Sequence, residues 1–333
     1  MKTTNAASRL RLAVVGAGKH GSRYAAHAAR DVDGIELVAV CRRDRDKGEA
    51  LAREVGCEFE SDAEKLISRR DVDAVVLATI PRLVPRFLAL AIESGKRIIL
   101  EKPVAPTLDK GLALLGLVER SGVYCLAAHT LRFNSTVEAL RRDLPSIGRL
   151  DSLLFSQRFP PQLDLAWLDA PEDSGGGNIL HTGVHCFDLL HWLSRHRVVE
   201  VSAAARRVRT RDTEDHFIAL LAMDADGLLA QVACSRSTAS RSGLIEASGE
   251  HGQLVVDHVL GTGYRLSPDG REELVIEPPR MTVRSLLERF VADARCDLAP
   301  PISYRDGLAA VAVAEACYRS VTSKAVERVR PLP

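Results

Sequence analysis

The feature that most constrains the fold is a glycine pattern that follows a short apolar run. Residues 10–15 predict a β-strand, and Gly16, Gly18 and Gly21 follow directly, before an alanine-rich helical stretch that reaches residue 29. In this order Gly16 permits a tight turn, Gly18 lets a pyrophosphate approach the backbone, and Gly21 lets the helix and strand pack closely. The amides at the helix N-terminus would then bind phosphate. The pattern predicts a dinucleotide-binding strand-turn-helix unit.

The segments that follow support this prediction. Strand patterns recur at residues 35–40 and 74–78, and a helical pattern lies between them at residues 46–55. Such alternation is typical of a parallel sheet with helices on its faces. The alternative is a glycine turn that binds nothing, and the strand-helix alternation around the glycines favours nucleotide binding over it. We therefore expect an N-terminal Rossmann domain, residues 1–130, with a doubly wound parallel sheet.

The end of the second strand bears on the choice of nicotinamide cofactor. A carboxylate there holds the ribose 2′-hydroxyl of NAD, whereas arginine accommodates the 2′-phosphate of NADP. In this chain Arg42 and Arg43 occupy the position, and Asp44 comes two residues late. We predict NADP. NAD is the alternative, since Asp44 could still reach the ribose and the arginines could point into solvent.

A later strand pattern, residues 98–100, ends in Glu101, Lys102 and Pro103. In an open parallel sheet the carboxyl end of a strand borders the ligand crevice, which would place Lys102 beside the cofactor. Burial and the positive charge of an oxidised nicotinamide both disfavour the ammonium form, so this lysine is suited to exchange a proton with a substrate oxygen. The alternative is a solvated ion pair of Glu101 with Lys102.

Residues 176–188 combine three glycines, two histidines and an aspartate. If the glycines lead into a helix, His181 and His185 lie four residues apart on one face, with Asp188 one turn further along. These groups can move protons near neutral pH. They could also bind zinc, but no glutamate follows His181 as it does in a His-Glu-x-x-His motif, and we predict no metal.

Taken in order, these motifs resemble the Gfo/Idh/MocA family, the group of glucose-fructose oxidoreductase and inositol dehydrogenase. The resemblance covers nearly the whole chain and rests on residues 16–21, 78–81, 101–103 and 129–134, on Trp167 ahead of glycines 175–177, and on residues 182–188. It implies a second, α+β domain with a large, mostly antiparallel open sheet, residues 131–333. It also implies hydride transfer at an alcohol or ketone carbon of a sugar, sugar derivative or inositol.

By this resemblance Lys102 and His185 are the catalytic pair. The lysine orients and polarises the reacting oxygen, and the histidine gives or takes its proton. His181 stands where family members commonly have aspartate, so the relay cannot be copied unchanged; we predict that His181 positions the substrate or assists the relay. Val84 is a second departure, because many members have histidine there.

The remaining site predictions concern binding. Trp167 would stack on a sugar or cyclitol ring, with core packing as the alternative. Substrate contacts are predicted for Lys102, Arg132, Asn134, Trp167, His181 and His185. Cofactor contacts are predicted for Gly16, Gly18, Lys19, His20, Gly21, Arg42, Arg43, Thr79, Ile80, Pro81, Glu101 and Lys102.

Composition limits the other function classes. The chain of 333 residues favours two domains, and its 45 basic and 44 acidic side chains predict no general attraction to nucleic acid or membrane. Seven scattered cysteines without a Cys-x-x-Cys pair favour a reducing cytoplasm. The uncovered face of the antiparallel sheet predicts a homodimer or homotetramer. An NAD-dependent glycosidase and an inactive nucleotide-binding sensor remain alternative functions.

Overall fold

The computed structural model describes residues 9–162, 165–225 and 227–333. They form two compact units, each discontinuous in sequence. The first contains the described residues up to Val104, together with residues 110–128 and 281–304; the second contains those of 105–109, 129–280 and 305–333. Residues 281–304 thus belong to the first unit, although they follow eight of the nine strands of the second unit's sheet in sequence. The functional domain limits given above, 1–130 and 131–333, stay predictions.

The regular elements are distributed along the whole described chain. The strands are β1 (Leu10–Val15), β2 (Ile35–Cys41), β3 (Glu58–Glu60), β4 (Ala74–Leu77), β5 (Arg97–Leu100), β6 (Cys125–Ala127), β7 (Leu150–Arg158), β8 (Val198–Arg206), β9 (His216–Met223), β10 (Leu229–Ser235), β11 (Ser242–Gly249), β12 (Gly252–Asp257), β13 (Thr262–Ser267), β14 (Gly270–Glu273) and β15 (Glu327–Arg328). The helices are α1 (Gly21–Arg30), α2 (Arg45–Val55), α3 (Ala63–Ile67), α4 (Val84–Glu93), α5 (Leu108–Ser121), α6 (Ser135–Asp143), α7 (Pro171–Ser174), α8 (Val184–Ser194), α9 (Thr282–Cys296) and α10 (Tyr304–Ser323). Short 3₁₀ turns lie at Pro81–Leu83, Thr130–Phe133, Leu144–Ile147 and Ala166–Asp169, and a π-helix lies at Ile179–Gly183.

The first unit is built on a parallel sheet of order β3-β2-β1-β4-β5-β6. The order reverses between β1 and β4, and this reversal is the switch point at which doubly wound folds bind ligands. Residues Leu12–Val15 and Ala74–Leu77 are at most 1% exposed, because helices cover both faces of the sheet. The predicted Rossmann architecture is confirmed.

Residues 281–304 complete this unit from far along the chain. Helix α9 packs against α1, and Tyr124 donates a hydrogen bond to the buried carboxylate of Asp293 at 2.8 Å. Next to β6, the amide of Ala127 donates to the carbonyl of Ile302 at 3.0 Å. This late segment therefore covers the edge of the sheet formed by β6.

The second unit contains a sheet of order β14-β13-β12-β11-β7-β10-β9-β8-β15. Every pairing in it is antiparallel except that of β7 with β10. Side chains alternate along β9: Phe217 and Leu221 are buried, whereas Ile218 and Leu220 are 42% and 58% exposed. One face is therefore covered, by helices that include α8 and α6. The predicted α+β sheet is confirmed.

Across the described residues, every helix is too short or too polar to cross a bilayer.

Candidate active site

The loop from β1 to α1 has the shape that the glycine pattern predicts. Gly16 has φ +90°, and a Cβ atom there would lie 2.4 Å from the carbonyl oxygen of Ala78. A Cβ on Gly21 would lie 2.3 Å from the carbonyl oxygen of Gly16, whereas a Cβ on Gly18 would meet no described atom within 4 Å. The loop is therefore closed on the sheet side and open at Gly18, and the first turn of α1 has no acidic side chain. This cradle fits a dinucleotide pyrophosphate.

The end of β4 adds a second feature that fits a cofactor. Thr79 directly follows Ala78, the residue that Gly16 abuts, and its hydroxyl oxygen is buried without a hydrogen-bond partner among the described residues. Ile80 and Pro81 continue from it into a 3₁₀ turn. A buried hydroxyl rarely stays unpaired, so the position suits a ligand that supplies the missing partner.

At the end of β2, the charged residues that were predicted to determine cofactor preference have different partners. Arg42 is half-buried and donates a hydrogen bond to the carbonyl oxygen of Ala17 at 3.2 Å, whereas Arg43 is exposed. Asp44 is the N-cap of α2: its carboxylate accepts from the amide of Lys47 at 3.1 Å and pairs with the ammonium at 2.9 Å. The hydrogen bond from the Lys47 side chain lowers the pKa of Asp44. Arg42 therefore contacts the glycine loop, while the Asp44 carboxylate caps a helix.

The end of β5 places a buried carboxylate beside Lys102. Oε1 of Glu101 accepts from the hydroxyl of Tyr24 at 2.6 Å and lies 2.9 Å from Nε2 of His20, and Oε2 accepts from the amide of Lys102 at 3.2 Å. Burial alone would raise the pKa of Glu101, but attraction to His20 and Lys102 and these hydrogen bonds outweigh it and lower the pKa. Glu101 is 8% exposed. The carboxylate is thus held inside the unit, and the alternative of a solvated ion pair does not describe it.

Tyr24 is a residue of this network that sequence reasoning missed. It is fully buried on α1. Burial first, and then the neighbouring Glu101 carboxylate, raise the pKa of Tyr24 well above its ordinary value, so the phenol keeps its proton and donates it. Its helical position predicts an ordinary core tyrosine, and the sequence gives no signal of the carboxylate that it meets.

In the second unit the glycine triplet packs against three different segments. A Cβ on Gly175, which has φ +74°, would lie 2.5 Å from the carbonyl oxygen of Pro106. A Cβ on Gly176 would overlap the hydroxyl of Tyr318, and one on Gly177 would overlap the carbonyl oxygen of Glu214. These glycines allow close packing beneath the segment that carries His181 and His185.

That segment begins as a π-helix, which the sequence did not predict. Its first amide, of Ile179, donates to Oε1 of Glu214 at 2.8 Å, and the Tyr318 hydroxyl donates to the same oxygen at 3.0 Å. Burial raises the pKa of Glu214. Because π-helical hydrogen bonds run from i to i+5, His181 and His185 are not related by a regular α-helical turn. The predicted common face therefore does not follow from their spacing.

His185 is half-buried and lies beside the buried ring of His129. The two rings meet edge to face with their centroids 6.1 Å apart, and Nδ1 of His129 lies 3.8 Å from a carboxylate oxygen of Asp188. Arg132 binds that carboxylate through Nε and Nη2 at 2.9 and 2.6 Å. The ion pair is almost fully buried, so it joins the turn at residues 130–133 rigidly to α8. Asp188 thereby fixes the surroundings of His185.

The other predicted substrate contacts have structural partners of their own. Nε2 of His181 lies 3.1 Å from the carbonyl oxygen of Ser174, and its ring meets that of Trp167 at 5.4 Å. Asn134 is the N-cap of α6 and also donates to the carbonyl oxygen of His258 at 3.3 Å. Sequence reasoning did not assign a role to His129, although it lies in one of the motifs. The predicted substrate roles stay predictions.

No group of three or more histidine, cysteine, aspartate or glutamate side chains in the described parts of the chain has a metal-binding arrangement. His181 contacts Ser174 and Trp167, whereas Asp188 binds Arg132.

Comparison with known proteins follows the division of the chain. A model described as "Oxidoreductase family, NAD-binding Rossmann fold" matches residues 10–129, and the Gfo/Idh/MocA C-terminal domain matches residues 146–255. The chain belongs to the Gfo/Idh/MocA family. It is an oxidoreductase with an NAD-binding Rossmann fold, and the predicted family is confirmed.

Individual relatives match over almost their whole length. D-apiose dehydrogenase of Paraburkholderia graminis is 28% identical, over 99% of this chain and 94% of the relative. Inositol 2-dehydrogenase 4 of Saccharopolyspora erythraea is 29% identical, over 95% and 94%. The structure of levoglucosan dehydrogenase in complex with NADH and levoglucosan has a TM-score of 0.89 at 19% identity, over 97% of this chain and all of the other, and shares the fold. These matches favour a dehydrogenase or reductase over the glycosidase and sensor alternatives.

Proposed function

We propose that the protein is an NADP-dependent dehydrogenase or reductase acting on a secondary alcohol or ketone carbon of a sugar, sugar derivative or inositol. The observation that carries the proposal is the end of β5, where the buried, ionised Glu101 accepts a hydrogen bond from the backbone amide of Lys102. Tyr24 of α1 and His20, the N-cap of α1, bind the other oxygen of the same carboxylate. The relatives are named for apiose and inositol, and the same substrate class is proposed here.

Residues of the first unit would hold the cofactor. The cradle at Gly16, Gly18 and Gly21 would bind the pyrophosphate, and the Thr79 hydroxyl would gain its missing partner. Lys19, Ile80 and Pro81 flank these two loops. When bound, a nicotinamide supplies or accepts the hydride.

The proton chemistry belongs to Lys102 and His185. The Lys102 ammonium donates a hydrogen bond to the reacting oxygen and stabilises its negative charge. His185 takes the hydroxyl proton during oxidation and returns it during reduction. The Arg132–Asp188 pair and His129 keep the His185 imidazole in place. His181, held between Ser174 and Trp167, would position the substrate.

Replacement of the proposed lysine tests the catalytic assignment. We expect Lys102→Ala to lower kcat by roughly 10²–10³-fold, the effect of losing one donor that stabilises charge on the reacting oxygen, while dinucleotide affinity stays within a few-fold. Turnover is measured with NADPH on a panel of ketoses, aldoses and inosose, together with dinucleotide binding by fluorescence. Lys65→Ala, an exposed lysine paired with Glu60, is the matched control. A kcat for Lys102→Ala within a few-fold of the parent contradicts the assignment.

NADP is proposed over NAD because of the contacts at the end of β2. Arg42 donates a hydrogen bond to the carbonyl oxygen of Ala17, beside the glycine cradle, and its remaining N–H groups suit a 2′-phosphate. Asp44, the group that would hold a ribose hydroxyl, is engaged with Lys47. Arg43 is exposed and contributes charge from the surface.

We further propose that a second copy of the chain covers the open face of the second unit's sheet. Ile218, Leu220 and Leu229 form an exposed apolar group there, named the outer patch, with exposures of 42%, 58% and 60%. Register places them on one face, because Leu229 pairs with Ala222, two residues from Leu220, and Leu220 lies two residues from Ile218. Contiguous apolar surface of this kind marks an interface, here of a homodimer or homotetramer.

We also propose a cytoplasmic location, as the free cysteines favour a reducing compartment. Cys186 and Cys234, for example, have sulfur atoms 3.8 Å apart and are not bonded to each other.

A further inference from the structure

Tyr24 connects the buried face of α1 to the end of β5. It is fully buried, and it shares that face with Gly21, three residues earlier. A Cβ on Gly21 would overlap the carbonyl oxygen of Gly16 and lie 3.4 Å from the Cβ of Ala78, so this glycine lets α1 approach the sheet. The phenol of Tyr24 therefore reaches the carboxyl end of the sheet, where it donates to Glu101 at 2.6 Å.

The groups that bind the Glu101 carboxylate differ in their access to water. Nε2 of His20 lies 2.9 Å from Oε1, but the His20 side chain is 44% exposed, so water competes for this contact. The backbone amide of Lys102 donates to Oε2 at the longer distance of 3.2 Å. The Tyr24 hydroxyl makes the shortest of these contacts and is shielded from water. The buried carboxylate therefore depends most on the phenol.

The charge of Glu101 depends on these contacts, because a buried carboxylate stays ionised only where donors replace the lost water. Burial acts to raise the pKa of Glu101, but attraction to His20 and Lys102 and the hydrogen bonds from His20 and Tyr24 lower it overall. Burial and the nearby carboxylate raise the pKa of Tyr24 well above its ordinary value, so the phenol remains a donor. Loss of the phenol would deprive Oε1 of its buried donor and favour the protonated form of Glu101.

The ionised carboxylate in turn acts on Lys102 in two ways. The backbone amide of Glu101 still donates to the carbonyl oxygen of Leu77 in β4, at 2.9 Å, and the Glu101 side chain then binds the next amide, that of Lys102. Its negative charge also attracts the Lys102 ammonium. Both effects weaken if Glu101 is neutral, because hydrogen bonds to a carboxylate are stronger than those to a carboxylic acid. The state of Glu101 therefore affects where the ammonium lies.

We propose that Tyr24 is a positioning residue for Lys102, a role that rests on the proposed function because that function assigns Lys102 to the reacting oxygen. The phenol holds Glu101 as an oriented carboxylate, and the carboxylate holds the backbone and the ammonium of Lys102. All three residues belong to the first unit. The hydroxyl of a core tyrosine on α1 thereby contributes to turnover through a carboxylate and without contact to the substrate.

Replacement of Tyr24 by phenylalanine tests this role, since it keeps the ring and removes only the hydroxyl. With NADPH and the substrate panel given above, we expect Tyr24→Phe to lower kcat by roughly ten-fold, the effect of a slightly misplaced catalytic group, while KM stays within a few-fold. The variant should also lose activity on acidification at pH values roughly one to two units higher than the parent does. This shift corresponds to the loss of one hydrogen bond to a charged group.

A matched control and a double-mutant cycle separate positioning from a general structural effect. Tyr124 is also a buried phenol of the first unit and donates to the buried carboxylate of Asp293 at 2.8 Å, so Tyr124→Phe should leave kcat and its pH dependence as in the parent. In a Glu101→Gln background, Tyr24→Phe should lower kcat little further, because no carboxylate is left to hold. Equal decreases in both backgrounds, or an equal decrease in Tyr124→Phe, overturn the proposal.

NMR titration of ¹³C-labelled glutamate carboxyl groups gives a readout that does not need turnover. The Glu101 resonance is the one absent from Glu101→Gln, and its midpoint should be roughly one to two pH units higher in Tyr24→Phe than in the parent. A parent that reduces no substrate of the panel contradicts the proposed function, and the titration then decides whether Tyr24 holds the carboxylate; an unchanged midpoint overturns that role. If Tyr24→Phe fails to fold by circular dichroism, Glu101→Gln is compared with the parent: a roughly ten-fold lower kcat supports the role, and an unchanged kcat overturns it.

Discussion

At the scale of single residues, Arg42 and Asp44 show how the local backbone assigns charges to different tasks. The two side chains are two positions apart, yet one contacts the glycine loop and the other caps α2. An Asp at an N-cap typically stabilises a helix by about 1 kcal/mol. The N-terminus of α2 thus binds the carboxylate that would otherwise select NAD.

Cofactor preference should follow from Arg42. We expect Arg42→Ala to lower kcat/KM for NADPH by roughly ten-fold or more, because one charge-assisted contact to the 2′-phosphate is lost, and to leave the value for NADH within a few-fold. Steady-state kinetics with both cofactors measure the ratio. Arg45→Ala, an exposed arginine paired with Glu49, serves as control. If Arg42→Ala leaves the ratio of kcat/KM for NADPH to kcat/KM for NADH unchanged, this arginine does not bind the 2′-phosphate.

Acid sensitivity should arise from a buried histidine. The His258 ring is hydrogen-bonded to the Gln157 side chain and is 9% exposed. Burial lowers the pKa of His258 from 6.5 to about 4. Between these values the unfolded chain binds a proton that the folded chain does not. The stability contributed by the neutral ring is therefore fully present above about pH 6.5 and falls as the pH drops toward 4, by up to about 1.4 kcal/mol per pH unit.

Urea unfolding at several pH values measures this effect. We expect His258→Gln to be less stable than the parent at pH 7, where the contact with Gln157 is altered, but to lose less stability between pH 6.5 and pH 4. His196→Gln, at an exposed histidine paired with Asp224, should keep the slope of the parent. If His258→Gln and the parent show equal slopes, His258 is not the group responsible.

At the scale of elements, the glycine triplet and the π-helix depend on partners that are remote in sequence. Glu214 and Tyr318 hold the first amides of the segment, and Pro106 lies against Gly175. The triplet itself was visible in the sequence, but nothing around it indicated which side chains would fill the space. Local periodicity predicted an α-helical turn, and tertiary packing produced a π-helical one.

Alanine substitutions at two glycines with positive φ distinguish the cost of backbone strain from the cost of overpacking. Gly175→Ala should lower the free energy of unfolding by about 1–2 kcal/mol from strain and by a further ~1–3 kcal/mol from overlap with the carbonyl of Pro106. Gly95→Ala, with φ +65° and no described atom within 4 Å of its Cβ, should cost the strain alone. Urea unfolding compares the two. Equal losses would mean that the backbone relaxes away from Pro106.

The sequence predicted much of the first unit because its information is local. Strand β1, the glycine loop and the strand end at Glu101 could be read from short patterns, and they lie where expected. The contacts of Tyr24 with Glu101 and of His129 with His185 could not be predicted from the sequence, because each joins positions far apart in the chain. A pattern shows which face of an element is buried, but it does not show which polar side chain will be opposite.

At the scale of the whole molecule, the sheet of the second unit leaves the outer patch without cover in the single chain. At roughly 25 cal/mol per Å², burying such apolar side chains favours association. We expect Leu220→Glu to shift the protein toward the monomer by at least roughly ten-fold in dissociation constant, because a charge would be buried at the interface. Sedimentation velocity over a range of concentrations measures the shift. Leu298→Glu, at an exposed leucine of the first unit, should behave as the parent; a monomeric parent would contradict the interface.

The late position of α9 has a consequence for how the polypeptide emerges from the ribosome. Strand β1 of the nucleotide-binding unit is made first among the described elements, yet Phe290 and Asp293, which meet Tyr124, are made only after eight of the nine strands of the other unit's sheet. During synthesis the early segment must wait, with the surface destined for α9 uncovered. Its maturation therefore has to wait until α9 has been translated, and a nascent chain halted before α9 would expose an unfinished core to chaperones.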